Sequence, residues 1–514
     1  MSDHFKVLEN SEFGRYSCAT KNISAGEVIF EEYPFVVGPK PNTPPVCLGC
    51  CCPVDGSADG PRCTQCRWPL CENCNENDLH RDECKVFVEC KVNFQDFPSN
   101  EEPCMQLDCI TPLRFLLQKE LNPKRWDEEI ALMEHHGERR RLTEQWNVDQ
   151  QNVVQYLFGP CKLQDRFSEE LIQQVCGILE VNAFEARTAS GYNVRCIFPK
   201  TAIMAHSCVP NTTHSIHPSN KFKLVSILLT KLYVFKQSGF KNLRIMVRAS
   251  VNINQDSILH TTYTNLLDGT SARQAHLKSS KFFVCRCERC NDPTELKTHF
   301  SSLKCSKCDL GLVCISDPND IESMWKCSRC DFNTNATAVQ RALSIIQTEV
   351  DAIQLMDFSA ERLEKCEQLF RKYRSVFHPQ HYIQTGLRQN LIEMYGRVEG
   401  YELQDLPDVM LEHKIDLCRQ VLNVLNVIHP GKTRCRAMLM YELHAPLVLI
   451  ARSAYAAGVL QGDALKAKLQ EAVDLLEECT PILEWEDSTT VEYTIGRIGR
   501  ESLAQLKESM RAII

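Results

Sequence analysis

The chain has 514 residues, of which 43% are hydrophobic and 24% charged, and a formal net charge of −8. This length predicts about two to four domains, and the composition is typical of a soluble globular protein. No apolar signal segment follows the first methionine and the longest apolar stretch is far too short to cross a bilayer, so we expect no membrane association. The acidic balance argues against direct nucleic-acid binding.

The first predicted element is a strand pair near the N-terminus. Residues 12–16 contain a Gly-Arg-Tyr sequence, and residues 23–30 are mainly apolar. The Ala25-Gly26 pair in the second segment predicts a turn, and the residues that follow it predict an apolar strand.

A cluster of cysteines follows, and it predicts two zinc sites. Of the 29 cysteines in the chain, 25 lie in residues 1–335. Disulfides do not persist in a reducing compartment, so cysteines paired at short spacing indicate metal ligands. Compact modules commonly interleave their ligands, which predicts the sets Cys47, Cys50, Cys71, Cys74 and Cys63, Cys66, His80, Cys84. Cys51 and Cys52 are left without a metal, because adjacent ligands cannot both point at one ion. The alternative is a group of buried free cysteines.

Helical spacing marks the next segment. Apolar residues recur at helical intervals across residues 108–175, for example at Leu113, Leu116, Leu117 and Leu121.

A second cysteine cluster, Cys285, Cys287 and Cys290, has only three ligands, whereas a closed structural zinc site needs four. Cys208, within the sequence Ala205-His206-Ser207-Cys208, is the best candidate for the fourth ligand. This assignment requires the fold to bring two distant segments together. A knuckle completed by a different outside ligand is the alternative.

The third cluster, Cys305, Cys308, Cys327 and Cys330, has zinc-ribbon spacing. Together the three clusters predict about four zinc ions, held by fifteen cysteines and one histidine. Each site is closed, with no open position for a catalytic water, so the zinc is expected to be structural and metal-dependent hydrolysis is not expected.

Residues 336–514 predict a helical domain. His378-Pro379 and His429-Pro430 each precede an amphipathic stretch, and proline is common in the first turn of a helix. Helical hairpins and an irregular helical bundle are both compatible with this pattern. We expect these helices to form a separate layer that shields a substrate groove or binds partners, and a chain ending near Ala336 to stay folded.

The order of these motifs resembles the SMYD family, in which a SET domain is split by a MYND zinc finger. The resemblance rests on the Gly14-Arg15-Tyr16 loop, Asn182-Ala183-Phe184, the segment from Ala205 to Asn211, the strand ending at Tyr263, and the cysteines from 285 to 290. The extra ribbon, and an alanine before His206-Ser207-Cys208, are similar to the arthropod SmydA-like branch.

The resemblance implies an α+β fold, in which a β-rich SET domain is interrupted by the finger and a helical insert and is followed by zinc modules and a TPR-like helical domain. The implied domains are residues 1–46 (first part of SET), 47–84 (MYND finger), 85–175 (helical insert), 176–265 (SET core), 266–294 (post-SET), 301–332 (zinc ribbon) and 336–514 (C-terminal helices).

The resemblance also implies an S-adenosylmethionine-dependent protein-lysine N-methyltransferase acting on histones or other proteins in transcriptional regulation. Tyr263 matches the family's catalytic tyrosine, and it counts as a cofactor-binding residue as well. The other implied cofactor-binding residues are Gly14, Arg15, Tyr16, Asn182, Ala205, His206 and Phe283. An ordinary packed strand tyrosine, and a helix cap at Asn182, are the competing interpretations.

Three departures from the family pattern bear on activity. Ala205 stands where the family has asparagine, and Lys281 stands where many members have a tyrosine. A lysine there would repel a sulfonium, so we expect its side chain to reach solvent. Residues 225–241 look like an insertion between two strands.

A non-catalytic adaptor or corepressor is the alternative function, with the MYND finger binding proline-containing peptides and the helical domain binding proteins. A nucleic-acid-binding zinc protein is disfavoured by the acidic charge. The lysine methyltransferase hypothesis also predicts a lysine-containing protein substrate, a monomer, and a location in the nucleus and cytoplasm.

Overall fold

The computed structural model describes residues 4–74, 79–99, 101–188, 191–218 and 243–513. The insertion expected at residues 225–241 lies outside these ranges. Helices and strands are both abundant, as the α+β prediction requires. No helix in the described ranges is both long and apolar enough to cross a bilayer.

The strands of a β-rich body lie between Phe5 and Thr261, in about the first half of the chain. These are β1 (Phe5–Asn10), β2 (Gly14–Ala19), β3 (Val28–Glu32), β4 (Val36–Pro39), β5 (Phe184–Arg187), β6 (Asn193–Ile197), β7 (Ala205–His206), β8 (Thr212–His217), β9 (Arg244–Ala249) and β10 (His260–Thr261).

The strands of this body form several small sheets and not one large sheet. β1 and β2 form an N-terminal hairpin, the orders β3-β9-β8 and β4-β6-β5 are antiparallel, and β7 pairs in parallel with β10. The predicted pairing of residues 12–16 with residues 23–30 is wrong, because β2 pairs with β1 and the strand after Gly26, β3, pairs with β9. Strand β9 shows why the sheets form, because Ile245, Val247 and Ala249 alternate inward while their neighbours are partly exposed. The parallel pair matters for function, since it brings the segment at residue 206 beside the segment at residue 261.

The helices before residue 300 lie mainly in the predicted insert. They are α1 (Arg81–Cys90), α2 (Ile110–Leu121), α3 (Pro123–Arg125), α4 (Gly137–Arg140), α5 (Glu144–Asp149), α6 (Gln155–Phe158), α7 (Glu169–Asn182), α8 (Pro199–Ala202), α9 (Thr270–His276) and α10 (Glu288–Asn291). The Ser168 hydroxyl caps α7 by accepting from the Leu171 N–H at 3.2 Å, and Glu169 and Glu170 favour the positive end of the helix dipole.

The ribbon cysteines lie on a four-stranded antiparallel sheet. Its strands are β11 (Leu303–Lys304), β12 (Leu312–Ile315), β13 (Trp325–Cys327) and β14 (Asn333–Thr334), paired in chain order.

The rest of the chain is helical, as predicted. Successive helices pack on one another around a shared core: α11 (Ala336–Gln354), α12 (Ala360–Lys372), α13 (Tyr382–Met394), α14 (Asp408–Ile428), α15 (Arg434–Ala456), α16 (Gly462–Leu483) and α17 (Val491–Ala512). Pro379 and Pro430 lie in the connections before α13 and α15, not in their first turns as expected.

These helices are not a detached layer. Phe300 is fully buried against Val424 and Ile428 of α14. The Lys432 N–H donates to the Ser250 carbonyl at 2.7 Å, and the neighbouring Gly431 has φ 81° with no room for a Cβ beside Ser250. The expectation that a chain ending near Ala336 stays folded is therefore not supported.

Candidate metal centres and active-site cleft

The fold brings the sixteen predicted ligands together in four sets, and within each set the ligand atoms all lie within 4.8 Å of one another. The sets are Cys47, Cys50, Cys71, Cys74; Cys63, Cys66, His80, Cys84; Cys208, Cys285, Cys287, Cys290; and Cys305, Cys308, Cys327, Cys330. We call the last two the knuckle cluster and the ribbon cluster. The pairing interleaves in the first module as predicted, and Cys208 joins the knuckle across more than seventy residues of chain.

The spacing of these sulfur atoms fits zinc. Sγ–Sγ distances are 3.8 Å for Cys50–Cys71, 3.7 Å for Cys63–Cys84, 3.5 Å for Cys208–Cys290, and 3.7 Å for Cys305–Cys330 and Cys308–Cys327. A tetrahedron with zinc–sulfur bonds of about 2.3 Å has edges of about 3.8 Å. These clusters therefore suit structural zinc.

A buried charge network orients His80. Its Nε2 lies 3.1 Å from Cys66 Sγ, and its Nδ1 lies 3.1 Å from Glu83 Oε1. Arg114 donates to the same carboxylate, to the Val37 carbonyl at 3.2 Å and to the Leu48 carbonyl at 2.6 Å. A carboxylate on the far nitrogen leaves the near nitrogen free to bind a metal. Arg114 also ties the first cysteine module to strand β4.

A buried charge network also lies beside the knuckle cluster, and it was not predicted from the sequence. Glu295 is buried between Arg273 and Arg289, at 3.2 Å and 2.9 Å. Arg273 also donates to Cys208 Sγ at 3.2 Å and lies 3.6 Å from Cys290 Sγ. Four thiolates on one zinc carry excess negative charge, so a buried guanidinium beside them is favourable.

A large cleft lies against the knuckle cluster. It has a volume of about 1220 Å³ and is bounded by the N-terminal hairpin, the insert, the end of α7, the paired strands β7 and β10, and the loop before Cys285. Seven of the eight residues predicted to bind cofactor line it: Gly14, Arg15, Asn182, Ala205, His206, Tyr263 and Phe283. Tyr16 is absent from the lining, and its ring packs 5.9 Å from that of Phe13.

Tyr263 is held at both ends. Its hydroxyl donates to the Met204 carbonyl at 2.5 Å, and its backbone N–H donates to His206 Nδ1 at 3.0 Å. Burial raises the pKa of the Tyr263 hydroxyl, which therefore stays protonated. The rings of His206 and Phe283 lie 5.2 Å and 6.4 Å away.

Asn182 is the last residue of α7. Its amide group donates to the Glu134 carbonyl at 2.8 Å and to the Ile178 carbonyl at 3.0 Å. The second bond is a helix-end contact, in keeping with the competing interpretation of this residue. With its N–H groups engaged, Asn182 can serve a ligand in the cleft only as an acceptor, through Oδ1.

Lys281 contradicts the expectation that it reaches solvent. Its amine donates to the Val181 carbonyl and lies 5.8 Å from the centre of the Tyr263 ring. Burial lowers the pKa of the Lys281 amine, although the charge of Glu180 partly opposes this shift. The side chain turns inward because a carbonyl and an aromatic face there replace part of its hydration.

Comparison with known proteins agrees with the predicted family. No protein-family model matches the chain. The chain is 27% identical to the SET domain-containing protein SmydA-8, isoform A, of Drosophila melanogaster, over 86% of this chain and 88% of that protein. It is 23% identical to the histone-lysine N-methyltransferase Smyd1 of Mus musculus, over 52% and 48% of the two chains.

Among solved structures, the SET domain of LSMT bound to lysine and AdoHcy aligns with 99% of this chain and 91% of that chain, at 10% identity and a TM-score of 0.27. This score is too low to establish a common fold. The sequence relatives, in contrast, include a SET domain-containing SmydA protein and a Smyd protein, which the chain resembles at 27% and 23% identity.

Proposed function

We propose that the chain is an S-adenosylmethionine-dependent protein-lysine N-methyltransferase. One observation carries the proposal: a cleft of about 1220 Å³ has Tyr263 in its wall, with the hydroxyl fixed on a backbone carbonyl. The relative named as a histone-lysine N-methyltransferase supports the same reaction.

The residues lining the cleft fit S-adenosylmethionine. The Arg15 guanidinium has no hydrogen-bond or ion-pair partner among the described residues and can pair with the carboxylate of the cofactor. Asn182 Oδ1 can accept from its amino group, the backbone of β7 can bind its adenine edge, and Phe283 can cover the adenine face. The bound cofactor supplies a methyl group on a sulfonium.

The residues of the cleft would keep the substrate lysine amine neutral and orient it toward the methyl group. The amine must be neutral to attack, and a cleft shielded from water lowers the pKa of a lysine. The Tyr263 hydroxyl oxygen can accept an N–H group of the amine, which aligns its lone pair with the methyl group. Alignment of two held reactants supplies most of the acceleration in such a transfer.

The proposal also includes the substrate and the binding partners of the protein. The substrate is a lysine-containing protein, and proline-containing peptides are expected at the MYND finger of residues 47–84. We expect a monomer that does not bind nucleic acid directly and is located in the nucleus and cytoplasm.

The test is calorimetric titration of the full-length protein with S-adenosylmethionine, followed by single-turnover methylation of a lysine-rich histone mixture. We expect binding and slow methylation. Tyr263→Phe should reduce the rate by about 100-fold or more, since it removes the acceptor that aligns the amine. Tyr455→Phe, at a side chain on α15 that is 56% exposed, is the control and should leave the rate unchanged.

Full activity in Tyr263→Phe would remove this tyrosine from the reaction. The Lys281 amine inside the cleft favours a second function, a non-catalytic adaptor, because a cation there opposes a sulfonium. Absence of any cofactor binding by the wild-type protein would refute the methyltransferase and favour the adaptor.

A further inference from the structure

His206 forms a bridge between the knuckle cluster and Tyr263. Its ring is buried, with Nδ1 3.0 Å from the Tyr263 backbone nitrogen and Nε2 3.3 Å from Cys208 Sγ. The residue thus touches a predicted metal ligand on one side and the candidate catalytic residue on the other.

The two contacts fix the tautomer of the ring. A backbone N–H can only donate, so Nδ1 of His206 must accept and carries no proton. A neutral imidazole then holds its proton on Nε2, which donates to the sulfur of Cys208. Nε2 therefore has no lone pair for a metal, and His206 is not a fifth ligand of the knuckle cluster.

The same short segment contacts Tyr263 at two points and the nearby Thr261 at a third. The Met204 carbonyl accepts from the Tyr263 hydroxyl at 2.5 Å, and His206 accepts from the Tyr263 backbone. The Ser207 N–H donates to the Thr261 carbonyl at 2.9 Å. The segment then ends at Cys208, which is held by the other cysteines and by Arg273. A metal on Cys208 therefore fixes the segment on which Tyr263 rests.

We propose that His206 is a positioning residue that couples the zinc of the knuckle cluster to the placement of Tyr263. The inference rests on the proposed function in one respect, the role given to Tyr263. Outer hydrogen-bond partners of a metal site commonly change metal affinity or activity by about 10–100-fold when removed.

Two amide substitutions separate the two bonds of His206. Asn places its amide near the position of Nδ1, so His206→Asn can retain the acceptor for Tyr263 but loses the donor to Cys208. Gln places its amide near the position of Nε2, so His206→Gln can retain the donor and loses the acceptor. His276→Gln, on the exposed surface of α9, is the control.

The experiment uses the full-length zinc-loaded protein. Zinc release to a chromogenic chelator is recorded for each variant, together with the affinity for S-adenosylmethionine, kcat and the KM for a histone peptide. We expect His206→Asn to release one zinc about 10–100-fold faster. We expect His206→Gln to keep that zinc and to lose about tenfold or more in kcat with an unchanged KM. The His276→Gln control should match the wild type.

Zinc release and kcat unchanged in both variants would overturn the coupling, provided that the wild-type protein methylates. A wild-type protein that binds no cofactor would instead refute the proposed function. In that case unchanged zinc release in His206→Asn would still refute the bond to Cys208, so the two failures are distinguishable.

Discussion

The amine of Lys281 brings a titratable charge into the proposed cofactor cleft. It lies inside the cleft, and burial lowers the pKa of its amine below the ordinary 10.5. A protonated Lys281 would repel the sulfonium by about 3 kcal/mol at ~6 Å and an effective dielectric of about 20. As pH rises through the lowered pKa, the amine loses its charge and the repulsion disappears.

Affinity for S-adenosylmethionine should therefore rise between neutral and alkaline pH, by up to about a hundredfold. Calorimetric measurement of the cofactor affinity across this pH range checks the prediction. Lys281→Met is the control, because any pH dependence that it retains comes from groups other than Lys281, including those of the cofactor. The substituted protein should bind more tightly at neutral pH and show a weaker pH dependence. An affinity that falls with pH only in the wild type would mean that Lys281 attracts the cofactor carboxylate instead.

At the scale of elements, the zinc ribbon depends on one glycine. A Cβ on Gly311 would lie 2.3 Å from Cys327 Sγ and 2.6 Å from Cys308 Sγ, closer than any real contact. Gly311→Ala should therefore displace the ribbon ligands and lower the zinc content by about one ion per chain, from about four. Elemental analysis of the purified protein checks this.

Gly386→Ala is the matched control for this change. Gly386 lies in helix α13 with nothing within 4 Å of the added carbon, so zinc should stay unchanged and stability should rise slightly. A full zinc content in Gly311→Ala would show that the ribbon accommodates the clash by shifting its backbone.

Features that depend on residues close together in the sequence could be predicted, whereas features that depend on the folded arrangement could not. Cys-x2-Cys spacing defines a ligand turn by itself, so all four ligand sets could be predicted, and Cys208 could be assigned because the knuckle lacked a fourth ligand. The sequence could not predict that Lys281 turns inward or that Arg273, Glu295 and Arg289 form a buried network. The identity of a charged residue does not indicate where its side chain will point. Tyr16 shares a motif with Gly14 and Arg15, but adjacent side chains on a strand point to opposite faces, so the Tyr16 side chain lies on the face of β2 opposite to that of Arg15.

At the scale of the whole molecule, the C-terminal helices are part of the stability of the β-rich body. A chain ending at Asn335 would expose Phe300, which is fully buried against α14, and would remove Trp485 from beneath the Arg248 guanidinium, 5.1 Å from the ring centre. Exposure of one large apolar side chain costs about 1.5–3 kcal/mol.

We expect that truncated chain to unfold at lower denaturant concentration or to aggregate. Circular dichroism in urea and light scattering check this. Trp485→Ala in the full chain removes the Arg248 contact and the packing of this one ring on the helical core, and should be destabilised to a smaller degree than the truncated chain. A truncated chain as stable as the full chain would mean that residues 336–514 fold and act independently.

The contacts of Arg114 bear on how binding at the first cysteine module could affect the cleft. Arg114 is buried and joins the module to strand β4 through the Leu48 and Val37 carbonyls. These hydrogen bonds hold the module against strand β4 and so limit its movement relative to the β-rich body. A peptide bound there would present the rest of its chain at a fixed distance and direction from the cleft. Such an arrangement raises the effective concentration of nearby lysines only for partners whose spacing matches that distance, so selection among substrates would depend on length as well as local sequence.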